Sequence, residues 1–235
     1  MKTIGMLGGM SWQSTSLYYR TINEETKRLR GGLHSAPIVL VSVDFQEIEV
    51  LQHQDDWATC AAVLADSATR IEAGGADFLL ICTNTMHRVA PEIERAIGIP
   101  LLHIADATAA RIKAAGIERI GLLGTRFTME QDFYRGRLEQ HGIDVLVPPQ
   151  ADRETVHRVI YEELCMGDVR DGSREEFLRI INDLANEGAE GVIEGCTEIV
   201  MLVQQQHTDV PLFDTTEIHC HEAVAEALRQ ATCRP

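Results

Sequence analysis

Two short polar motifs stand at equivalent places in the two halves of the chain. A Thr-Asn-Thr motif begins at Thr83 and a Cys-Thr-Glu motif begins at Cys196, each at the end of an apolar run. When the halves are superposed, Thr83 falls on Cys196. An ionised thiol acts as a base or nucleophile, whereas a threonine hydroxyl near neutral pH could only relay a proton. The pair predicts a site to which each half contributes one reactive side chain.

The motifs belong to a longer internal duplication. A glycine-containing run at Ile4 corresponds to one at Ile120, and an apolar run at Pro100 corresponds to one at Pro211. The offset between the halves shortens along the chain, as expected of related halves with small insertions or deletions. Such a duplication predicts equivalent strand ends on opposite sides of one cleft.

Short apolar runs alternate with longer amphipathic stretches, which is typical of parallel sheets with crossover helices. We therefore predict an α/β fold of two pseudo-symmetric domains, each a mainly parallel sheet flanked by helices, with the active site in the cleft between them. Strands are predicted near residues 3 to 8, 38 to 43, 77 to 82, 100 to 104, 118 to 123, 143 to 147, 190 to 194 and 210 to 213. Helices are predicted over 57–72, 175–187 and about 217–232.

The sequence between the halves contains no long linker, so we expect a hinged pair of domains rather than independent ones. Residues 1–110 form the predicted first half and residues 111–215 the second, with a boundary near Thr108 to Gly116. A C-terminal helix of about 216–235 is expected to pack back on the first half.

In parallel α/β sheets, ligands bind beyond the carboxyl ends of the strands. Backbone N–H groups and the helix dipole there would hold a carboxylate, with Asn84, Thr85 and Thr197 as side-chain donors and Glu198 as a further polar neighbour. A helix N-terminus is also expected to depress the pKa of the Cys196 thiol. The alternative is that Cys196 is simply a small buried residue at a tight strand end.

Glycine loops precede both motifs, but neither matches a dinucleotide fingerprint or contains the lysine of a P-loop. Gly5 and Gly121 are equally well explained as tight turns between strand and helix. The residues expected at the mouth of the site are Gly8, Gly9, Met10, Ser11, Thr125 and Thr128.

Several charged or histidine side chains are further candidates. His219 and His221 would diverge on a helix, so no metal site is expected there. His87 follows Thr83 by one helical turn and is either a supporting residue of the site or a structural histidine.

Arg126 and Arg135 are candidates to read an acidic substrate side chain, although solvation at the surface is the ordinary role of arginine. Asp44 and Glu47 follow an apolar strand and could face a substrate ammonium, or could be solvated loop residues.

The composition limits the classes of protein to consider. The chain has 235 residues, 45% of them hydrophobic, and 36 acidic against 21 basic residues give a formal charge of −15. That charge argues against nucleic acid and anionic membranes as partners. With no apolar run long enough to span a membrane and no signal peptide pattern, we expect a cytoplasmic protein.

The six cysteines lack zinc-ligand or C-x-x-C spacing, so neither a disulfide framework nor a structural metal is expected. Only three lysines occur, at Lys2, Lys27 and Lys113, and none is near the motifs, which argues against pyridoxal phosphate.

Four motifs in order resemble the aspartate/glutamate racemase family. They are Met6-Leu7-Gly8-Gly9-Met10-Ser11, Cys82-Thr83-Asn84-Thr85-Met86-His87, Leu123-Gly124-Thr125-Arg126-Phe127-Thr128-Met129 and Gly195-Cys196-Thr197-Glu198. The resemblance covers nearly the whole chain. It implies two similar α/β domains, no cofactor, no metal and a homodimer.

The family's usual site pairs two cysteines, and here the first is replaced by Thr83. Cys82 is one residue out of register, and neighbouring side chains on a strand point to opposite faces. The chain therefore resembles the Thr/Cys subset of the family, in which Cys196 would abstract a Cα proton from the L isomer and Thr83 would support reprotonation from the other face. The implied substrates are aspartate, glutamate or other polar amino acids.

Two alternatives stay open. A decarboxylase or cis-trans isomerase of the same superfamily could work with the single Cys196, because one thiol suffices to protonate a carbanion. A two-domain protein of this kind could also bind a ligand without chemistry. The polar surroundings of Thr83 and Cys196 favour the racemase.

Overall fold

The computed structural model describes residues 1–229. The chain divides into two compact units: residues 1–104 with 219–229, and residues 105–218. The division lies between Ile104 and Ala105, earlier than the predicted boundary near 110. Residues after Ile104 belong to the second unit because Asp106 accepts hydrogen bonds from Arg137, and Tyr134 donates to Thr108.

The first unit contains a three-stranded parallel sheet in the order β2-β1-β3. Its strands are β1 Ile4–Gly8, β2 Ile38–Ser42 and β3 Phe78–Ile81. Its helices are α1 Trp12–Arg30, α2 Phe45–His53, α3 Trp57–Ala73 and α4 Ala90–Ala96, with a 3-10 helix at Thr85–Val89. The first residue of helix α5 (Ile104–Ala114) completes the main segment of this unit.

The second unit contains a four-stranded parallel sheet in the order β5-β4-β6-β7. Its strands are β4 Arg119–Gly124, β5 Asp144–Leu146, β6 Val192–Gly195 and β7 Leu212–Asp214. Its helices after α5 are α6 Arg126–Glu130, α7 Asp132–Gln140, α8 Gln150–Glu162, α9 Asp171–Asn186 and α10 Ile199–Leu202, with 3-10 helices at Leu164–Met166 and Gln205–His207. Helix α11 (Thr215–Leu228) begins in this unit, and its residues from His219 belong to the first.

The core of the first unit explains why the chain returns to it at its end. Side chains of β1 and β3 that alternate along the strands, such as Ile4 and Phe78, form one buried cluster with Tyr18 of α1 and Val224 of α11. Residues two apart on a strand share a face, so this face is apolar throughout and requires helices over it.

Gly5 and Gly121 lie inside strands β1 and β4, so their interpretation as turn residues is wrong. A Cβ atom on Gly5 would lie 2.5 Å from Cγ2 of Ile71 in α3, and one on Gly121 would lie 3.0 Å from Cδ1 of Leu184 in α9. Each glycine lets the helix before the motif strand pack directly on the sheet.

The predicted strand at 100–104 is also wrong. Leu101 forms a single isolated bridge with Leu79, and Ile104 already begins helix α5. The other seven strands lie where the apolar runs predicted them, within a few residues. Helix α9 begins at Asp171 and α11 at Thr215, both earlier than predicted, because the polar residues of each first turn do not extend the apolar periodicity. The predicted end of the last helix lies outside the described residues.

Within residues 1–229, no helix combines the length and apolar character needed to cross a bilayer. The cysteines described there, at positions 60, 82, 165, 196 and 220, are all free thiols.

Candidate active site

The end of strand β1 requires glycine twice. Gly9 has a φ of 93°, and a Cβ atom on it would collide with the backbone of Val43. A Cβ atom on Gly8 would collide with the side chain of Thr15 on α1, whose hydroxyl accepts a 2.8 Å hydrogen bond from the Gly9 N–H. This packing brings the first turn of α1 close against the strand end.

Equivalent pairs of hydroxyl groups cap the helices that follow β1 and β4. Ser11 is the N-cap of α1, and its hydroxyl lies 3.2 Å from that of Ser14. Thr125 is the N-cap of α6, and its hydroxyl lies 3.2 Å from that of Thr128. Each cap oxygen also accepts the backbone N–H three residues on, at 3.3 and 3.4 Å. The same arrangement of hydroxyl groups therefore recurs at equivalent places in the two units, and Met10, which is buried, precedes the first.

Thr83 lies just beyond the end of β3. The preceding residue, Cys82, is fully buried in the core cluster of the first unit, and burial raises the pKa of its thiol. Thr83 itself is partly exposed, while Asn84 and Thr85 after it are buried. The chain thus turns one polar residue outward at the strand end and keeps the neighbouring thiol in the core.

His87 lies behind Thr83 and is fixed by two hydrogen bonds. Its Nδ1 is 2.8 Å from the backbone oxygen of Thr83, and its Nε2 is 3.3 Å from the backbone nitrogen of Ile104. Burial lowers the pKa of His87 well below its ordinary value, and the nearby His103 and His219 lower it further. The ring is therefore neutral at physiological pH.

In the second unit, Cys196 directly follows the end of β6. Its Sγ donates to Oε2 of Glu198 at 2.9 Å, and the Thr197 hydroxyl donates to the same oxygen at 2.8 Å. The three side chains of the Cys-Thr-Glu motif thus meet on one carboxylate oxygen.

The expected depression of the Cys196 pKa is wrong. Burial raises the pKa of this thiol well above its ordinary value, and Glu198 and Cys165 raise it further. The following helix, α10, has only four residues, so it supplies little dipole to oppose these effects. Cys196 rests as a thiol hydrogen-bonded to a carboxylate.

A model of the Asp/Glu/Hydantoin racemase family matches residues 7–223, a range that contains both motifs. The chain belongs to this family. The crystal structure of a proposed Asp/Glu racemase from Yersinia pestis is 56% identical, with a TM-score of 0.93 over 97% of this chain and 100% of that one. An aspartate racemase homologue from Pyrococcus horikoshii is 34% identical, with a TM-score of 0.84 over 97% and 99%. A broad specificity amino-acid racemase from Bacillus subtilis is 22% identical over 91% of this chain and 92% of its own.

Other polar candidates of this racemase-family chain lie outside the two motifs in sequence. Arg126 is exposed, and Arg135 pairs with Asp132 and Glu139 of its own helix. The two Arg135 ion pairs, three and four residues apart, are of the kind common on helix surfaces.

Asp44 and Glu47 contribute to a cavity of about 500 Å³ between β2, α2 and α3. Asp44 is also the N-cap of α2, accepting the Gln46 N–H at 3.0 Å. None of the residues that line this cavity belongs to either motif.

His219 and His221 point to different surroundings, as their spacing on a helix predicts. His219 is buried, whereas His221 is exposed at the surface near Glu25. Among residues 1–229, no group of three or more histidine, cysteine or acidic side chains could hold a metal ion.

Two residues of the second unit were missed by sequence reasoning. Cys165 lies close enough to the Glu198 carboxylate for that charge, after burial, to raise the pKa of its thiol to about 12. Glu194 lies in β6, two residues before Cys196, and is 4% exposed. An acidic residue inside an otherwise apolar strand was the available signal for Glu194; a cysteine outside any motif gave none for Cys165.

Burial raises the pKa of the Glu194 carboxyl to about 8, with Asp214 and Glu217 adding to the rise. Its Oε1 has no hydrogen-bond partner among the described residues. Because the folded state keeps this proton up to about pH 8 while the unfolded chain releases it near 4.5, rising pH destabilises the fold across this interval.

We expect Glu194→Gln to remove this loss. At pH 4.5 and below, wild type and variant should have similar free energies of unfolding, and at pH 9 the variant should be more stable by on the order of 2 kcal/mol. Urea unfolding between pH 4 and 9 measures the difference, with the exposed Glu175→Gln as control. A Glu194→Gln difference that does not grow with pH would show that Glu194 ionises normally.

Proposed function

We propose that the protein is a cofactor-independent amino-acid racemase that inverts Cα by removing a proton on one face and returning one on the other. The observation that supports this best is the equivalence of Thr83 and Cys196, each at the carboxyl end of a motif strand beside a helix capped by a hydroxyl pair. Membership of a family with amino-acid racemases among its relatives supports the same reaction.

Cys196 is the proposed base for the L isomer. A resting thiol must first lose its proton, and Oε2 of Glu198, 2.9 Å from Sγ, is the acceptor. When that carboxylate takes the proton it becomes neutral, so the thiolate is not left beside a negative charge. The thiolate then removes the Cα proton and becomes a thiol again.

The resulting carbanion needs stabilisation at the substrate carboxylate. Asn84, Thr85 and Thr197 are the proposed donors, and Ser11, Thr125 and Thr128 extend the polar lining together with Met10, which supplies an apolar contact. Donors held in a buried site stabilise developing enediolate charge without reorganising. This role is supported by the burial of Asn84 and Thr85 at the strand end.

Thr83 completes the inversion in this proposal. Its hydroxyl gives a proton to the planar carbanion from the face opposite Cys196 and recovers one from water. The hydroxide left behind is neutralised when Glu198 releases to the solvent the proton that it took from Cys196. Because threonine is a much weaker acid than cysteine, the Thr83 step is the slower one in both directions. The proposed preference for L substrates is therefore a higher kcat at saturation, accompanied by a higher KM for L. Substrates are aspartate, glutamate or other polar amino acids, in keeping with the names of the relatives.

A decarboxylase function would use the same Cys196, since a lone thiol could protonate the carbanion that forms when CO₂ is lost. The Glu198 contact favours the racemase, because a resting thiol needs an acceptor only when it must act as a base. A protein that only binds a ligand would not need a proton acceptor beside Cys196.

The racemase proposal predicts exchange of the Cα proton without added cofactor. In D₂O, proton NMR should show loss of the Cα signal from L-aspartate or L-glutamate, and chiral chromatography of the same samples should show the D isomer. Cys196→Ser should lower both rates by at least about a hundredfold, because serine is a far weaker acid than cysteine. Normal turnover by Cys196→Ser would refute the assignment of Cys196 as the base. Release of CO₂ from a malonate would favour the decarboxylase.

Glu198→Gln tests the proton acceptor. We expect kcat at pH 7 to fall about tenfold to a hundredfold, with the remaining rate rising with pH as hydroxide takes over from the carboxylate. Glu175→Gln, which changes an exposed carboxylate of the same unit, serves as the control. A Glu198→Gln enzyme with the wild-type pH profile would leave Cys196 without this partner.

We also propose a cytoplasmic homodimer that forms through strand β2. This strand is at the edge of its sheet, and Leu40 within it is 43% exposed. An edge strand presents unpaired backbone groups that a second copy of the chain can satisfy.

Leu40→Glu should convert the dimer into a monomer, because a buried carboxylate would be left without a partner at the interface. Sedimentation velocity measures the mass, and Met201→Glu, which changes an equally exposed residue of the second unit, is the control. A monomeric wild type, or a dimeric Leu40→Glu, would contradict the proposed interface.

A further inference from the structure

Hydrogen bonding fixes the tautomer of His87. The Ile104 N–H can only donate, so Nε2 of His87 accepts and carries no hydrogen. The ring hydrogen therefore lies on Nδ1, which donates to the backbone oxygen of Thr83 at 2.8 Å. Both nitrogens are engaged, and neither is available to exchange a proton with a substrate.

A second histidine holds the segment to which His87 is attached. Nε2 of His219 donates to the backbone oxygen of Leu102 at 2.8 Å, and its Nδ1 accepts from the Tyr18 hydroxyl at 2.9 Å. His219 thus ties residues 102–104 to helix α1, and His87 ties the same residues to Thr83. The rings of His87 and His219 lie 6.1 Å apart, and that of His103 lies 4.4 Å from His87.

The rings of His87 and His219 stay neutral across the physiological range. Burial lowers the pKa of His219 to about 4 and that of His87 in the same direction. A charged His87 would need a second acceptor in place of the Ile104 N–H, so protonation would break the contact that holds the ring. The support behind Thr83 is therefore a neutral and rigid one.

We infer that His87 is a positioning residue for Thr83: it anchors the peptide oxygen of Thr83 to residues 102–104 and so fixes where the Thr83 hydroxyl stands at the strand end. This inference rests on the proposed racemase function. It assigns His87 to only one of the two proton transfers, because Cys196 has its own partner in Glu198. Loss of His87 should impair reprotonation on the Thr83 face and spare proton removal by Cys196.

The two transfers are measured separately in D₂O with an L substrate. Loss of the Cα proton from the L isomer with retention reports Cys196 alone, and formation of the D isomer requires Thr83 as well. We expect His87→Ala to keep L exchange within about twofold while D formation falls about tenfold to a hundredfold, as expected for a displaced reacting group. Thr83→Ala should show the same pattern, and His87→Gln, which keeps an N–H donor, should recover part of the D formation.

Thr26→Val is the control, because it also removes a buried hydrogen bond of the first unit, but one in which the Thr26 hydroxyl donates to Ile22 within α1. It should change exchange and D formation by the same factor. Equal loss of both rates in His87→Ala and His87→Gln would overturn the inference and assign His87 a general structural role.

A readout on the wild-type protein does not depend on folding of the variants. Nitrogen-15 correlation spectra at pH 7 should show His87 as the neutral Nδ1–H tautomer, and a charged ring or an Nε2–H tautomer would overturn the inference. A wild type with neither exchange nor D product would instead refute the proposed function, and the positioning role with it.

Discussion

Close packing of a helix against the first strand of each sheet is the constraint on which the rest of the structure depends. Gly5 in β1 and Gly121 in β4 have no side chain at the point where α3 and α9 cross the sheet. A methyl group there would push Ile71 or Leu184 away and loosen the core. Because α3 and α9 lead directly into the motif strands, their seating determines where Thr83 and Cys196 emerge.

Burial then decides which protonation states these strand ends can hold. In the first unit a neutral imidazole stands behind Thr83, with each of its nitrogens engaged. In the second a carboxylate stands beside Cys196 and raises the pKa of its thiol. Burial disfavours an unpaired charge at both strand ends. The first unit keeps its imidazole neutral, and the second keeps its thiol protonated beside the carboxylate. The backbone symmetry of the two units is therefore not matched by symmetry in their acid–base chemistry.

Sequence patterns predicted the strands well because alternation of short apolar runs with helices has few competing solutions. The run at 100–104 failed because strand pairing ends after the bridge at Leu101: the Leu102 oxygen bonds to His219 and the Ile104 N–H bonds to His87. The motif residues themselves were recognisable from the duplication. Their pKa shifts were not, since the direction for Cys196 depends on burial and on the carboxylate of Glu198, which spacing alone does not reveal.

A threonine at position 83 fits the support that the first unit provides. A thiol at position 83 would have His87 behind it, whose nitrogens are already committed, and would gain no acceptor comparable to Glu198 from that ring. The two strand ends thus differ in the hydrogen-bond partners that they provide as well as in their reactive residues.

Thermodynamics limits how that difference can appear in catalysis. The two enantiomers of an amino acid have equal free energies in water, so kcat/KM must be equal in the two directions of a racemisation. A slow Thr83 step therefore cannot favour L substrates in kcat/KM. It can make kcat for L exceed kcat for D only if KM for L exceeds KM for D by the same factor. Preference for L substrates in such an enzyme is a property of saturating conditions, set by how firmly each isomer is held.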